Sequence, residues 1–167
     1  MNIRPEQDAD KDAVYAVNAA AFPGNDEAEL VNKLRESAQP LISLVAEDKG
    51  CVVGHILFTP VSLGGDNSLT LMGLAPMAVL PKYQKQGIGT ALVETGLTNC
   101  ERLGAGAVVA LGHPEYYPRF GFVPTLSFAI KSEYDVPAEV FMIKELQADY
   151  LAGRTGTIAY HNAFSKL

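Results

Sequence analysis

Two stretches of the chain carry residue types and spacings that could do chemistry. The first is Gln84-Lys85-Gln86-Gly87-Ile88-Gly89-Thr90, which follows the apolar run Met77-Ala78-Val79-Leu80 and opens an apolar-faced helix. The first N–H groups of a helix lack partners inside it, and the helix dipole adds positive potential there, so a helix start is a ready anion site. Glycines at 87 and 89 leave out side chains that would keep a phosphate from those amides. Lys82 and Lys85 add positive charge, and no acid lies between residues 81 and 87. A pyrophosphate is the guest this chemistry suits. A Walker loop, Gly-x-x-x-x-Gly-Lys-Ser/Thr, is absent, and the Gly-x-Gly-x-x-Gly of a dinucleotide fold fails because Leu92 stands at its third glycine. The competing reading is a loop whose glycines only shape a turn. The second stretch is His113-Pro114-Glu115-Tyr116-Tyr117-Pro118-Arg119-Phe120-Gly121-Phe122. The His113 imidazole could accept a proton near neutrality, although a lone histidine is more often an ordinary hydrogen-bonded side chain.

The elements that must position these residues follow from periodicity and turn signals. Ile3-Arg4-Pro5 reads as a short edge strand. Asp8 or Asp10 caps a helix carrying Ala13, Val14, Val17, Ala20 and Ala21 on one face, broken by Pro23-Gly24. A second helix runs from Asp26 to Ser37 with Leu30, Val31 and Leu34 as its apolar stripe. Strands are expected at 41–47, 51–61 and 69–80, joined by tight turns at Asp48-Lys49-Gly50 and Gly64-Gly65-Asp66-Asn67. Pro76 cannot donate to a ladder, so the last of these strands is irregular or unpaired there. A helix from Gly87 to Leu103 buries Ile88, Leu92, Gly96, Cys100 and Leu103, and Ala107 to Leu111 is a strand buried on both faces. The step between strands 69–80 and 107–111 is a parallel crossover. A short helix or turn spans 114–120, strands lie near 126–131 and 139–146, and 156–160 is an extended piece.

Composition narrows the function classes. The chain has 167 residues, 48% hydrophobic and 19% charged, which suits one mixed α/β domain over residues 1–167. A net charge of -6 argues against a general nucleic-acid binder and mildly favours cationic or amine-bearing partners. The N-terminal residues show no signal peptide, and no apolar run approaches the ~20 residues of a membrane helix. Cys51 and Cys100 stand apart from each other and from any His, and read as reduced thiols in or near a core. The expectation is a cytoplasmic protein with no metal, no membrane partner and no nucleic-acid partner.

Gln84-Lys85-Gln86-Gly87-Ile88-Gly89 resembles the Gln/Arg-x-x-Gly-x-Gly/Ala signature of the GNAT superfamily of acyl-CoA-dependent N-acyltransferases, in the YhbS-like bacterial branch. The resemblance implies an α/β (α+β) fold: a mixed, mostly antiparallel sheet, flanked by helices, in which two central strands splay into a V-shaped cleft. It implies acetyl-CoA as cosubstrate, with its pyrophosphate on Gln84 to Thr90 and its pantetheine arm on backbone groups of Met77, Ala78 and Val79. Many members carry Tyr-x-x-x-Gly-Phe in the second stretch, with the tyrosine as general acid. Tyr117 holds that spacing before Gly121-Phe122, so the resemblance assigns it the role and leaves Tyr116 a packing aromatic. A phenol near pKa ~10 can serve a thiolate near ~8.5 by hydrogen bonding as well as by transfer. Phe120 and Phe122 read as core.

Several members place a glutamate base on the strand before the signature, but Gly73 to Leu80 holds no carboxylate. Glu27 and Glu29, His113 and His55 are the candidates, and favourable charge at a helix start is the competing role for both glutamates. The implied reaction is direct attack by a primary amine in a ternary complex, with a backbone N–H near Val79 polarising the carbonyl. The alternative is a non-catalytic acyl-CoA sensor or regulatory module on the same fold, and a more distant one is an unrelated phosphate-binding α/β domain. The acceptor is a small-molecule amine or a protein amine, and a homodimer is compatible with such folds.

Overall fold

Lys49 and Gly50 both take positive φ (51° and 80°), and this turn folds β2 (Ile42–Asp48) back onto β3 (Cys51–Leu63). Gly64 and Gly65 make the next turn in the same way and lead into β4 (Asp66–Val79). These long antiparallel pairings are the centre of the molecule. The structure is a computed structural model and describes residues 1–166. Before the hairpins come β1 (Asn2–Pro5), α1 (Lys11–Ala21) and α2 (Asp26–Ser37); after them come α3 (Ile88–Leu103), β5 (Ala107–Leu111), β6 (Val123–Pro124), β7 (Ile130–Ser132), β8 (Phe141–Glu145) and β9 (Gly156–Ala159). The spatial order is β1-β2-β3-β4-β5-β8-β6, and β9 joins the end of β3 to β7. β4 pairs β5 in parallel, as does β7 with β9; the other pairs are antiparallel. This is the mixed, mostly antiparallel sheet expected from the resemblance.

Side chains that alternate along the strands fill two cores. Leu57, Leu71 and Val109 face α1 and α2 with Val14, Leu30 and Leu34; Phe58, Met72 and Val108 face α3 with Ile88, Leu92 and Cys100. Gly96 lets α3 approach closely, since a Cβ there would lie 2.2 Å from the Phe58 ring.

The pairing of β4 with β5 runs from Leu71 opposite Ala107 to Leu74 opposite Ala110, and stops. At that point β4 bulges. Ile56 and Phe58 of β3 pair with Met77 and Leu74, so β3 spends Leu57 where β4 spends Ala75 and Pro76. Proline has no N–H to give a ladder, which is why the irregularity falls there. Beyond it, Met77 to Val79 stay paired with β3 on one side while the other edge is free of β5. The two strands therefore part, and their divergence opens the cleft.

Some expectations need correction. Asp10 does not cap α1 with its side chain; its carboxylate accepts the Gln7 N–H at 2.7 Å and pairs with Arg4 at 2.7 Å, closing a turn ahead of the helix. Leu103 is exposed at the end of α3, where Val93 and Leu97 are buried instead. Leu111 is exposed because β5 has by then reached the cleft. Residues 125–128 form a 3-10 turn rather than strand, set off by Pro124 and ended by Ala129 at φ 57°, and only Ile130–Ser132 is extended. Cys51 is exposed at a strand end, while Cys100 is in the core.

Candidate active site

The free edge of β4 exposes particular amides. Leu80 N–H donates to the Val53 carbonyl at 2.9 Å, and Val79 stands opposite Gly54. Backbone groups alternate along an antiparallel strand, so Ala78 turns its N–H and C=O to β3 while Met77 and Val79 turn theirs to the free edge. The first residue of the predicted signature then locks the strand end: the Gln84 amide donates to the Val79 carbonyl at 3.0 Å. Lys85 and Gly87 take positive φ, 62° and 87°, which brings the loop round to start α3 at Ile88.

These pieces enclose a cleft of about 820 Å3. Met77, Ala78 and Val79 form one wall; Gln84, Lys85 and residues 87–90 form the floor. Gln86 is not part of it, because its side-chain amide turns back to the Lys82 carbonyl at 3.2 Å. Lys82 also points elsewhere, with its ammonium 5.5 Å from the Tyr83 ring centroid. His113, Glu115, Tyr116 and Arg119 make the opposite wall. Tyr116, expected only to pack, has its hydroxyl 3.2 Å from where a Cβ on Gly89 would sit. Arg119 was not singled out by sequence reasoning. Its guanidinium stacks 4.4 Å from the Tyr116 ring centroid and donates to the Thr90 hydroxyl at 3.4 Å, which brings a cation to the start of α3. The available signal was an arginine among aromatics in an acidic chain.

A second chamber of about 430 Å3 adjoins the cleft, and Phe22, Met77 and His113 border both. Tyr117 walls this chamber and is 5% exposed, against Phe122 in the core. Burial, with a contribution from Tyr116, pushes its phenol up to about 12, so it is protonated at neutral pH. Phe122 is core as expected, while Phe120 is half-buried. Glu27 reaches the chamber from the first turn of α2, and its Oε1 is buried without a hydrogen-bond partner among the described residues. Glu29 lines neither space; it accepts the Tyr15 hydroxyl at 2.8 Å on the surface. His55 is fully buried between Asn18 (3.2 Å) and Ser43 (2.9 Å), away from both spaces. Burial, then the Arg35 charge, lowers it to about 3, so it is a neutral core histidine. Burial raises the Cys100 thiol to about 12. Among the described residues no group of three or more His, Cys, Asp or Glu is placed to hold a metal ion, and no helix is long and apolar enough to cross a membrane.

Comparison with known proteins matches this geometry to a family. Residues 2–125 match the model of the acetyltransferase (GNAT) domain. The uncharacterised N-acetyltransferase YhbS of Escherichia coli K12 is 36% identical over 167 residues, covering 99% of each chain. The crystal structure of Escherichia coli YhbS in complex with CoA superposes with a TM-score of 0.93 at 36% identity, over 98% of this chain and 91% of that one. A GNAT family acetyltransferase from Brucella melitensis in complex with acetyl-CoA gives a TM-score of 0.81 at 36% identity, over 98% of this chain and 97% of that one. Sequence and fold thus match along nearly the whole length of these relatives, and the chain belongs to the GNAT acetyltransferase family.

Proposed function

We propose that the chain, as one domain over residues 1–167, is an N-acetyltransferase that moves an acetyl group from acetyl-CoA to a primary amine by direct attack in a ternary complex. The observation that carries this reading is the free edge of β4. Met77 and Val79 aim their amides into a cleft floored by a glycine-started helix, and the cleft continues into a second, mostly apolar chamber. The residues present suit the cosubstrate. Lys85 and Arg119 bring two cations to the amides at the start of α3, and Gly89 keeps that narrow spot clear beneath the Tyr116 hydroxyl. The YhbS and Brucella melitensis relatives were solved with CoA and acetyl-CoA, which supports the same occupant here. Cys51 and Cys100 are free thiols, in keeping with a cytoplasmic setting.

The bound cosubstrate supplies a thioester for the amine to attack. The Val79 or Met77 N–H polarises its carbonyl and holds the developing oxyanion, and the walls supply orientation. Glu27 or His113 takes the proton that frees the amine's lone pair. As the C–N bond forms and the C–S bond breaks, the Tyr117 hydroxyl donates to the departing thiolate, and the second amine proton ends on sulfur. The lack of a carboxylate from Gly73 to Val79 of β4 favours the acyl-CoA sensor as a second reading; Glu27, bordering the adjoining chamber, weighs against it.

Two measurements test the proposal. Free thiol should be released from acetyl-CoA when a panel of primary amines is added. Calorimetric titration with CoA should show binding that Gly89→Glu abolishes, because the new side chain fills and charges the phosphate site while its backbone remains helical. Binding without amine-dependent thiol release would leave the sensor. Tight binding of a nucleotide but not of CoA would overturn both.

A further inference from the structure

The chamber beyond the cleft has a lopsided chemistry. Among the described residues its rings are Phe22, Tyr117, Tyr134, Tyr160, Phe164 and the His113 imidazole at the cleft side, backed by aliphatic groups such as Leu30 and Leu111, and no lysine or arginine borders it. Among the described residues its one carboxylate is Glu27. Glu27 Oε1 is buried with no hydrogen-bond partner, and so is the Tyr160 hydroxyl on the same wall. A buried carboxylate oxygen left unpaired beside an apolar wall is costly, and a cation bound next to Glu27 offsets that cost through its charge. The missing partner of a carboxylate is a cationic donor, and aromatic faces favour a cation as well. At about 430 Å3 the space is near the small end of ligand pockets.

We infer that the acceptor is a small primary amine with one positive charge on a compact apolar or aromatic body, its ammonium recognised by Glu27 and its body held by the ring walls. This rests on the acetyltransferase reading above and names its substrate class. The same chemistry disfavours the alternatives. An α-amino acid would set its carboxylate among walls where, among the described residues, no lysine or arginine meets it. A polyamine would bring further charges into apolar surroundings with one carboxylate to pair them. Glu27 takes the ammonium proton, the freed nitrogen attacks the thioester carbon, and the second proton leaves on the CoA thiol, so one proton is released overall.

The test uses the full chain saturated with CoA for binding and with acetyl-CoA for turnover. The probes are phenethylamine, phenylalanine, spermidine and a capped lysine peptide. Phenethylamine should bind by calorimetry and be acetylated with a kcat/KM at least about tenfold above the others, whose extra charged or polar groups would be buried unpaired. Glu27→Gln should weaken phenethylamine binding by about tenfold or more and leave CoA binding unchanged, and Glu27→Asp should restore part of the loss. Binding of phenethylamine that depends on Glu27 supports the class even where no thiol is released, in which case it is the transferase reading that fails. Preference for phenylalanine, spermidine or the peptide, or phenethylamine affinity indifferent to Glu27→Gln, overturns the class while any thiol release leaves the transferase standing.

Discussion

The side-chain amide of Gln84 donates to the carbonyl of Val79 at 3.0 Å, joining the loop before α3 to the last residue of β4. One wall and the floor of the cleft are held in register by this bond; in the proposed reading Val79 offers its amide to one ligand segment while the loop cradles another. Gln84→Ala removes it and leaves the loop glycines intact. A neutral hydrogen bond is worth about 0.5–1.5 kcal/mol net, so the variant should melt lower by about 2–4 °C per kcal/mol lost, and CoA should bind up to roughly tenfold more weakly. Calorimetry beside a thermal melt reads both. Equal affinity in the variant would mean the bond positions nothing.

Much of this arrangement can be read in the residues, and the part that cannot has a physical cause. The β2–β3 hairpin is announced by Asp48-Lys49-Gly50, because a tight turn needs positive φ at its centre. The divergence of β4 from β5 is announced by Pro76, a residue that cannot serve a ladder. Glu27 and Glu29 are different. They are two residues apart at a helix start, chemically alike, and only the packing of α2 over the parted strands sends one into the chamber and the other out to Tyr15. Tyr116 and Arg119 are likewise indistinct in sequence, since their place over Gly89 and Thr90 depends on how the turn after β5 folds across the mouth of the cleft. The run from Leu126 to Lys131 mimics a strand by apolar content alone, and Pro124 with the left-handed Ala129 decides otherwise.

His55 gives the fold a pH dependence of its own, away from the cleft. Buried between Asn18 and Ser43, it has its pKa lowered from 6.5 to about 3. The unfolded chain thus binds a proton that the folded chain refuses, between those two values. Stability from the neutral imidazole is complete above about pH 6.5 and falls as pH drops toward about 3, with a slope of up to about 1.4 kcal/mol per pH unit from this one group. Urea unfolding at several pH values between about 6.5 and 5, where few carboxylates titrate, should show that slope. His55→Gln should start less stable and be flatter over the same range. An unchanged slope in the variant would assign the dependence to other groups.

Tyr117 should act as a donor at every pH the enzyme meets. Its hydroxyl makes no hydrogen bond to another described residue, walls the chamber beside the cleft, and has its pKa raised by burial to about 12. A phenol so weakly acidic does not hand its proton outright to a thiolate near pKa ~8.5; it stabilises the leaving sulfur chiefly through a hydrogen bond. Tyr117→Phe keeps the ring and its packing against Phe122. The expected result is a kcat lowered by about a hundredfold, the low end for a general acid, with the acetyl-CoA dissociation constant unchanged. The ratio of wild-type to variant kcat should stay constant from about pH 7 to pH 10 and fall only toward about pH 12, because the donor is lost only when the raised phenol ionises. Stopped-flow thiol release at several pH values measures that ratio. A ratio that collapses near pH 9 would mean Tyr117 titrates as an ordinary phenol or lower, and equal kcat at neutral pH would remove it from the reaction.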